Sequence, residues 1–200
     1  MIRQTPGSLL DCGCGAGDNA KFMSAAGWRV TGLTGSPAEQ AIASQHGETY
    51  LTDLNMGLPP HIENKYDLIL LSHVLEHLVR AETLLCDLHR VCTPSTVLAV
   101  ALPNVLAYPQ RFAFLRGRFE YTDQGTMDKT HVRFYTYKSG ARLLETSGFR
   151  VVRASVDGAL PLWKLRRVLP PSFVSSLTRR ACASFPGMFG FQCLYLASPK

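Results

Sequence analysis

Residues Leu9-Leu10-Asp11-Cys12-Gly13-Cys14-Gly15-Ala16-Gly17 decide the reading of this chain. An apolar pair runs into an aspartate, three glycines follow at alternate positions, and Asp18 to Ala26 then has helical character until Gly27 stops it. That order is a strand, a tight turn and a helix. In open parallel sheets, ligands bind beyond the carboxyl ends of the strands, where glycine lets backbone approach a bound molecule. Gly13, Gly15 and Gly17 would give that clearance. A dinucleotide turn would carry G-x-G-x-x-G, but the sixth position counted from Gly13 is Asp18, an acid unfavourable beside a pyrophosphate at a helix N-terminus. The turn therefore predicts a ligand without phosphates. Asp11 would stabilise positive charge on it; the alternative is a turn that merely connects strand to helix.

Downstream, short apolar runs alternate with helix-period segments, which predicts βαβ units and a mainly parallel sheet. Trp28 to Leu33 is the second strand. Ser36-Pro37-Ala38-Glu39 opens a helix that continues through Ser44, with Ser36 as cap, Pro37 in the first turn and Glu39 completing a capping box. Glu48 to Leu51 and Tyr66 to Leu71 are strands three and four, the latter a continuous apolar run suited to a buried parallel strand. Val74, Leu78, Leu85, Leu88 and Cys92 share one helical face, ended by Pro94. Val97 to Leu102 is strand five, Thr136 to Thr146 a helix with Gly148 as C-cap, Phe149 to Val156 strand six, and Phe191 to Ala197 the last strand. The expected fold is α/β, a Rossmann-like doubly wound sheet of about seven strands with helices on both faces, in one domain over residues 1–200. Residues 104–133, rich in aromatics, arginines and glycines, form an insertion that shapes a substrate pocket; residues 158–189 form a basic, apolar connection broken by prolines.

With the order of elements in place, Asp11-Cys12-Gly13-Cys14-Gly15-Ala16-Gly17 resembles the first motif of class I methyltransferases, and the likeness extends from about Ser8 to Val156. The resemblance implies S-adenosylmethionine as cofactor, with Asp11, Gly13, Cys14, Gly15 and Gly17 around it. Relatives carry an acid at the end of strand two for the ribose hydroxyls; here that place holds Thr34, which can make a hydrogen bond but brings no charge. Thr34 followed by Ser36 and Gln40 is similar to a pattern in cyclopropane fatty acid synthases, which opens carbon methylation of a lipid as an alternative. By the same resemblance Asp53 receives the adenine amino group and Leu54 packs on the ring, although Asp53 would equally suit a turn cap. In Leu70-Leu71-Ser72-His73-Val74-Leu75-Glu76-His77-Leu78, Ser72 and His73 fall beside the cofactor, while Glu76 and His77 sit where they would hold the helix start.

Asp128-Lys129-Thr130-His131-Val132-Arg133-Phe134-Tyr135-Thr136 resembles an element of a bacterial group related to ubiquinone-biosynthesis O-methyltransferases and methionine-biosynthesis methyltransferase-like proteins. It implies a small-molecule, sugar or lipid-linked saccharide hydroxyl as acceptor. His131 and His73 are the candidate bases, since a hydroxyl must lose its proton as it attacks. His131 and Arg133 could instead fasten the insertion to the sheet. Tyr108, Phe112, Phe114, Phe119 and Tyr121 could line an apolar acceptor pocket or pack on one another.

Composition limits the remaining classes. Of 200 residues, 46% are hydrophobic, so a packed core rather than disorder is expected. Met1 to Gly7 lack a basic stretch followed by an apolar one, and no apolar run approaches the ~20 residues that span a bilayer, so a cytoplasmic protein is expected. Six cysteines without C-x-x-C spacing predict free thiols and no metal site. The net charge of +6 is modest, and without a basic-aromatic motif it argues against nucleic acid. Lys164, Arg166, Arg167, Arg179 and Arg180 lie among apolar residues, and Leu160 to Leu169 mixes bulk with charge as a segment in peripheral contact with an anionic membrane would. The sequence leaves oligomeric state open. Two rival classes remain: a nicotinamide-dependent oxidoreductase, disfavoured by glycine spacing, and a methyltransferase-like binding module without catalysis.

Overall fold

The computed structural model describes residues 5–161 and 169–200. Seven strands form one sheet in the order β3-β2-β1-β4-β5-β7-β6: β1 (Ser8–Cys12), β2 (Arg29–Thr34), β3 (Glu48–Leu51), β4 (Leu68–Ser72), β5 (Val97–Pro103), β6 (Phe149–Gly158) and β7 (Gly190–Pro199). All neighbouring pairs are parallel except those made by β7, which runs antiparallel to both β5 and β6. The helices are α1 (Asp18–Ala25), α2 (Pro37–Ala43), α3 (Ala81–Leu88), α4 (Tyr108–Leu115), α5 (Tyr137–Thr146), α6 (Pro171–Ser184) and α7 (Pro186–Phe189). Among these residues no helix is long and apolar enough to cross a membrane.

The two-residue period of a strand distributes the core to both faces. On β4, Leu68 and Leu70 pack with Leu9, Val30 and Ala20 of α1, whereas Ile69 and Leu71 pack with Leu10, Leu98 and the buried face of α3, made by Leu84, Leu85 and Leu88. Burial on both sides accounts for the unbroken apolar run in this strand. Helix α5 adds Leu143 and Leu144 to the second cluster.

The chain leaves β1 toward β2 and β3, then returns on its other side to β4. Where connections diverge in this way, a crevice opens beyond the carboxyl ends of the strands. Cys12 is level with Leu33 of β2 and Leu71 of β4, and the N–H groups of Gly13 and Cys14 both donate to Leu33 O, at 2.8 and 2.9 Å. The glycine turn is thus pinned over the end of β2. Gly17, with φ of 88°, begins α1, and a Cβ there would stand 2.8 Å from Ala43 Cα of α2. Left-handed backbone costs a non-glycine residue roughly 1–2 kcal/mol, and overpacking a further ~1–3. Gly17→Ala is therefore expected to lower stability by about 2–4 kcal/mol, read as a drop in the urea midpoint without a change in slope.

Several local expectations need correction. The single helix expected from Val74 to Cys92 is a 3-10 turn at Leu75–His77, then α3, then a second 3-10 turn at His89–Val91. Ser36 Oγ accepts from Glu39 N at 3.4 Å, but the Glu39 carboxylate does not return to the cap, so that capping box is half formed. A complete box stands instead at α5, between Thr136 and Ser139. The 104–133 insertion contains α4, and the 158–189 connection contains α6 and α7; the basic residues Lys164, Arg166 and Arg167 lie outside the described residues. The six cysteines are free thiols.

Candidate functional site

A cleft of about 1010 Å³ opens at the carboxyl ends of β1, β2 and β4. Of the sequence-predicted residues it brings together Gly13, Gly15, Thr34, Asp53, Leu54 and His73, and adds Glu39, Asn55, Val74, His77 and Thr130. The three glycines of the turn do different work. A Cβ on Gly13 would meet Val74 Cγ2 at 2.6 Å, whereas at Gly15 nothing lies within 4 Å, so Gly15 is the one that opens toward free space. Gly17 serves the packing of α1 on α2 and does not line the cleft. Cys14 is 6% exposed and its Sγ would stand 2.8 Å from a Cβ on Gly32, which turns it toward the sheet. Ser72 ends β4 and does not line the cleft.

Asp11 lies beneath the turn, 1% exposed, and neither carboxylate oxygen has a hydrogen-bond partner among the described residues. Burial raises its pKa from 3.8 to about 6; the Asn19 side chain opposes this rise, without a hydrogen bond of ordinary geometry to it. A buried carboxylate left without partners is costly unless a cation or donor approaches it.

The acid missing from the end of β2 arrives from the next helix. Thr34 is 2% exposed, and its hydroxyl donates to Glu39 Oε2 at 2.8 Å while accepting from Ser36 N at 3.3 Å. This places the Glu39 carboxylate in the cleft wall beside Gly35. Glu39 was legible in the sequence only as a capping residue; the signal that could have found it is a hydroxyl at the strand end followed by a glutamate one helical turn into α2. Gln40 points elsewhere, donating to Thr49 O at 2.9 Å. Asp53 Oδ1 accepts from both Asn55 N and Asn55 Nδ2, at 2.9 and 3.0 Å, capping the turn Leu54–Met56 while its exposed carboxylate borders the cleft.

His73, just beyond β4, has φ of 56°, unique among the described non-glycine residues in being positive. Such backbone costs of order 1–3 kcal/mol and persists only where the surroundings enforce it. Here they do so from both sides: Nδ1 lies 3.0 Å from Glu76 Oε1 and Nε2 lies 2.9 Å from Gln192 Nε2, while the backbone N–H donates to Ala101 O. A carboxylate can only accept, so Nδ1 carries the hydrogen and Nε2 presents a lone pair to the Gln192 amide. His131 does not line the cleft. It is 9% exposed, with Nδ1 3.1 Å from Thr126 O and its ring edge-on to His77 at 4.8 Å between centroids. Arg133 fastens the insertion, its guanidinium 2.6 Å from Glu82 Oε1 and holding that carboxyl below its ordinary range. Among the aromatics, Phe114 stacks on Phe119 at 5.4 Å and Phe119 meets Tyr121 and Phe134 edge-on, leaving Phe119 and Tyr121 each 56% exposed.

Comparison with known proteins bears on the family and the fold. A family model described as a methyltransferase domain matches residues 2–154. A probable S-adenosylmethionine-dependent methyltransferase of Mycolicibacterium smegmatis is 27% identical over 144 residues, 72% of this chain and 52% of that protein. Trans-aconitate 2-methyltransferase of Delftia acidovorans is 32% identical over 101 residues, 48% of this chain and 38% of that protein. The chain thus spans about half or less of the length of these curated relatives. A crystal structure of a SAM-dependent methyltransferase from Archaeoglobus fulgidus superposes with a TM-score of 0.68 at 19% identity, covering 100% of this chain and 88% of the other, which shows a shared fold.

Proposed function

Since the chain belongs to the methyltransferase-domain family, we propose that it transfers the methyl group of S-adenosylmethionine to a hydroxyl of a small molecule, sugar or lipid-linked saccharide. The residues present fit that cofactor. The buried Asp11 carboxylate supplies negative potential beneath the turn where the cationic amino-acid end would lie, Gly15 leaves room for it, and the Thr34–Glu39 pair offers a charged acceptor to ribose hydroxyls. Asp53 and Leu54 border the end of the cleft suited to adenine.

When bound, the cofactor supplies a methyl group on a sulfonium, already activated for transfer. The chain's task is to align the acceptor oxygen, exclude water and receive its proton. The observation that carries the hydroxyl reading is His73: the residue lines the cleft, its Nδ1 is oriented by Glu76, and its Nε2 presents a lone pair to Gln192. An acceptor hydroxyl that displaces the Gln192 amide would deliver its proton to Nε2, and the buried Glu76 carboxylate would stabilise the imidazolium that results. The half-exposed aromatics of the insertion support an acceptor with an apolar part, and Arg179 and Arg180, both exposed on α6, are the described members of the basic cluster expected near anionic lipid.

The test is turnover with methyl-labelled cofactor across a panel of hydroxyl, carboxyl and carbon acceptors. Label is expected in a base-stable ether of a hydroxyl acceptor, and Glu39→Ala is expected to raise KM for the cofactor about tenfold with a smaller change in kcat. Cofactor binding without transfer to any acceptor would instead identify a binding module; label confined to carboxyl or carbon acceptors would overturn the hydroxyl reading.

A further inference from the structure

The lip of the cleft holds a second group of polar side chains, of which the methyl-transfer scheme uses only Glu76, through Oε1. Glu76 is fully buried at 0% exposure; Oε1 faces His73, but Oε2 has no hydrogen-bond partner among the described residues. Its backbone oxygen accepts from Val132 N at 2.9 Å and Arg133 N at 3.1 Å, which ties the returning end of the insertion to this point and brings His131 against His77. The insertion therefore closes over Glu76, and no ion pair reaches its free oxygen among the described residues.

The two imidazoles are oriented by backbone. His77 Nδ1 lies 3.3 Å from Thr130 O and 3.2 Å from Thr130 Oγ1, and His131 Nδ1 lies 3.1 Å from Thr126 O. Carbonyl oxygens only accept, so each Nδ1 carries the hydrogen. Thr130 Oγ1 donates to Asp128 Oδ1 at 2.6 Å, which leaves that hydroxyl free to accept from His77 as well. Each ring is left with a lone pair on Nε2. This is the arrangement by which metal-binding histidines are fixed in tautomer and direction. One ligand atom each from Glu76, His77 and His131 lie within 4.8 Å of one another. Two imidazoles and a buried carboxylate that keeps one oxygen without a hydrogen-bond partner among the described residues are thus gathered at one point.

We propose that Glu76, His77 and His131 bind a divalent transition-metal ion of the Zn2+ or Fe2+ type. Two imidazoles and one carboxylate select such an ion over Mg2+ or Ca2+, which favour all-oxygen sets. Metal–ligand bonds of ~2.1 Å would set ligand atoms roughly 3.5 Å apart, so the cluster must close by about 1 Å, a change within side-chain torsions. Three protein ligands leave a coordination position open, and His77 and Thr130 both line the cofactor cleft, so the site borders it. An oxygen of the acceptor is the ligand it would take; this last step alone rests on the methyl-transfer reading above. Cysteine spacing could not reveal the site, because its members come from the end of β4 and the far end of the insertion.

Metal-stripped protein titrated calorimetrically with Zn2+, and by visible absorption with Co2+, tests the assignment. One ion per chain is expected, with a Co2+ spectrum free of thiolate charge-transfer bands. His77→Ala, His131→Ala and Glu76→Gln should each weaken binding by at least about 100-fold, and His61→Ala, at an exposed ring outside the cluster, should leave it unchanged. Should the buried Glu76 and His131 variants fail to fold, half-buried His77 still decides the matter. Absence of stoichiometric binding, a thiolate spectrum, or full affinity in His77→Ala would overturn the proposal. S-adenosylmethionine titrated into the same samples separates the two readings: metal binding without cofactor binding would sink the methyltransferase assignment alone, and the reverse would sink this site alone.

Discussion

Asp11→Asn is expected to weaken S-adenosylmethionine binding by roughly 100-fold, about 3 kcal/mol, and to flatten the acid side of the stability profile of the ligand-free chain. Both effects have one cause. The carboxylate is buried without a hydrogen-bond partner among the described residues, and its pKa stands at about 6 against 3.8. A carboxyl whose folded pKa is raised favours folding when protonated, so its penalty is absent below about pH 3.8, grows as pH rises, and is complete above about pH 6. The gap corresponds to roughly 3 kcal/mol. Urea midpoints measured at pH 4 and pH 7.5 should therefore shift in favour of the asparagine variant by about that amount between the two conditions. A cation bound nearby stabilises the ionised form, so cofactor affinity in the wild type should fall as pH drops below about 6 and should lose that dependence in the variant. Calorimetric titrations across this range that show unchanged affinity in Asp11→Asn would remove the carboxylate from the site.

His73→Asn is expected to lower kcat by about 10²- to 10⁴-fold while cofactor Kd changes only a few-fold. Asparagine is chosen because it tolerates the left-handed backbone found here at φ of 56°, so the loss reports the imidazole rather than a collapsed turn. Gln192 supplies the contrast. Its amide occupies Nε2 in the ligand-free arrangement, and Gln192→Ala should change kcat by no more than about tenfold, since a positioning group is removed and the proton acceptor stays. Single-turnover rates with saturating labelled cofactor distinguish these outcomes, and a His73→Asn protein with wild-type kcat would exclude the residue as base.

Much of the scaffold could be read from residue order because periodicity and punctuation are local. The glycine turn, the capped start of α2 and the double-faced run of β4 each carry their signal within about ten residues. What escaped depends on contacts distant in sequence or on competition between neighbours. Glu39 fits a capping box and a Thr34 hydrogen bond equally well on paper, and only the strand end beneath it decides for the latter. The segment after β4 has helical spacing throughout, yet the bend at His73 and the insertion's hold on Glu76 O break it into separate turns. His131, expected beside the reacting atoms, is instead drawn against His77 by that same hold.

The reversed direction of β7 has a consequence for how residues distant in sequence take part in the cleft. In a wholly parallel sheet, the beginning of a final strand would emerge on the rim opposite the ligand. Because β7 runs the other way, its opening residues emerge on the same rim as the ends of β4 and β5, with Gln192 level with Pro103, while its closing residues pair with Phe149–Val151 on the far rim. The protein thereby completes the wall beside His73 with a residue 119 positions further along the chain, so the contacts around His73 are complete only after β7 has inserted.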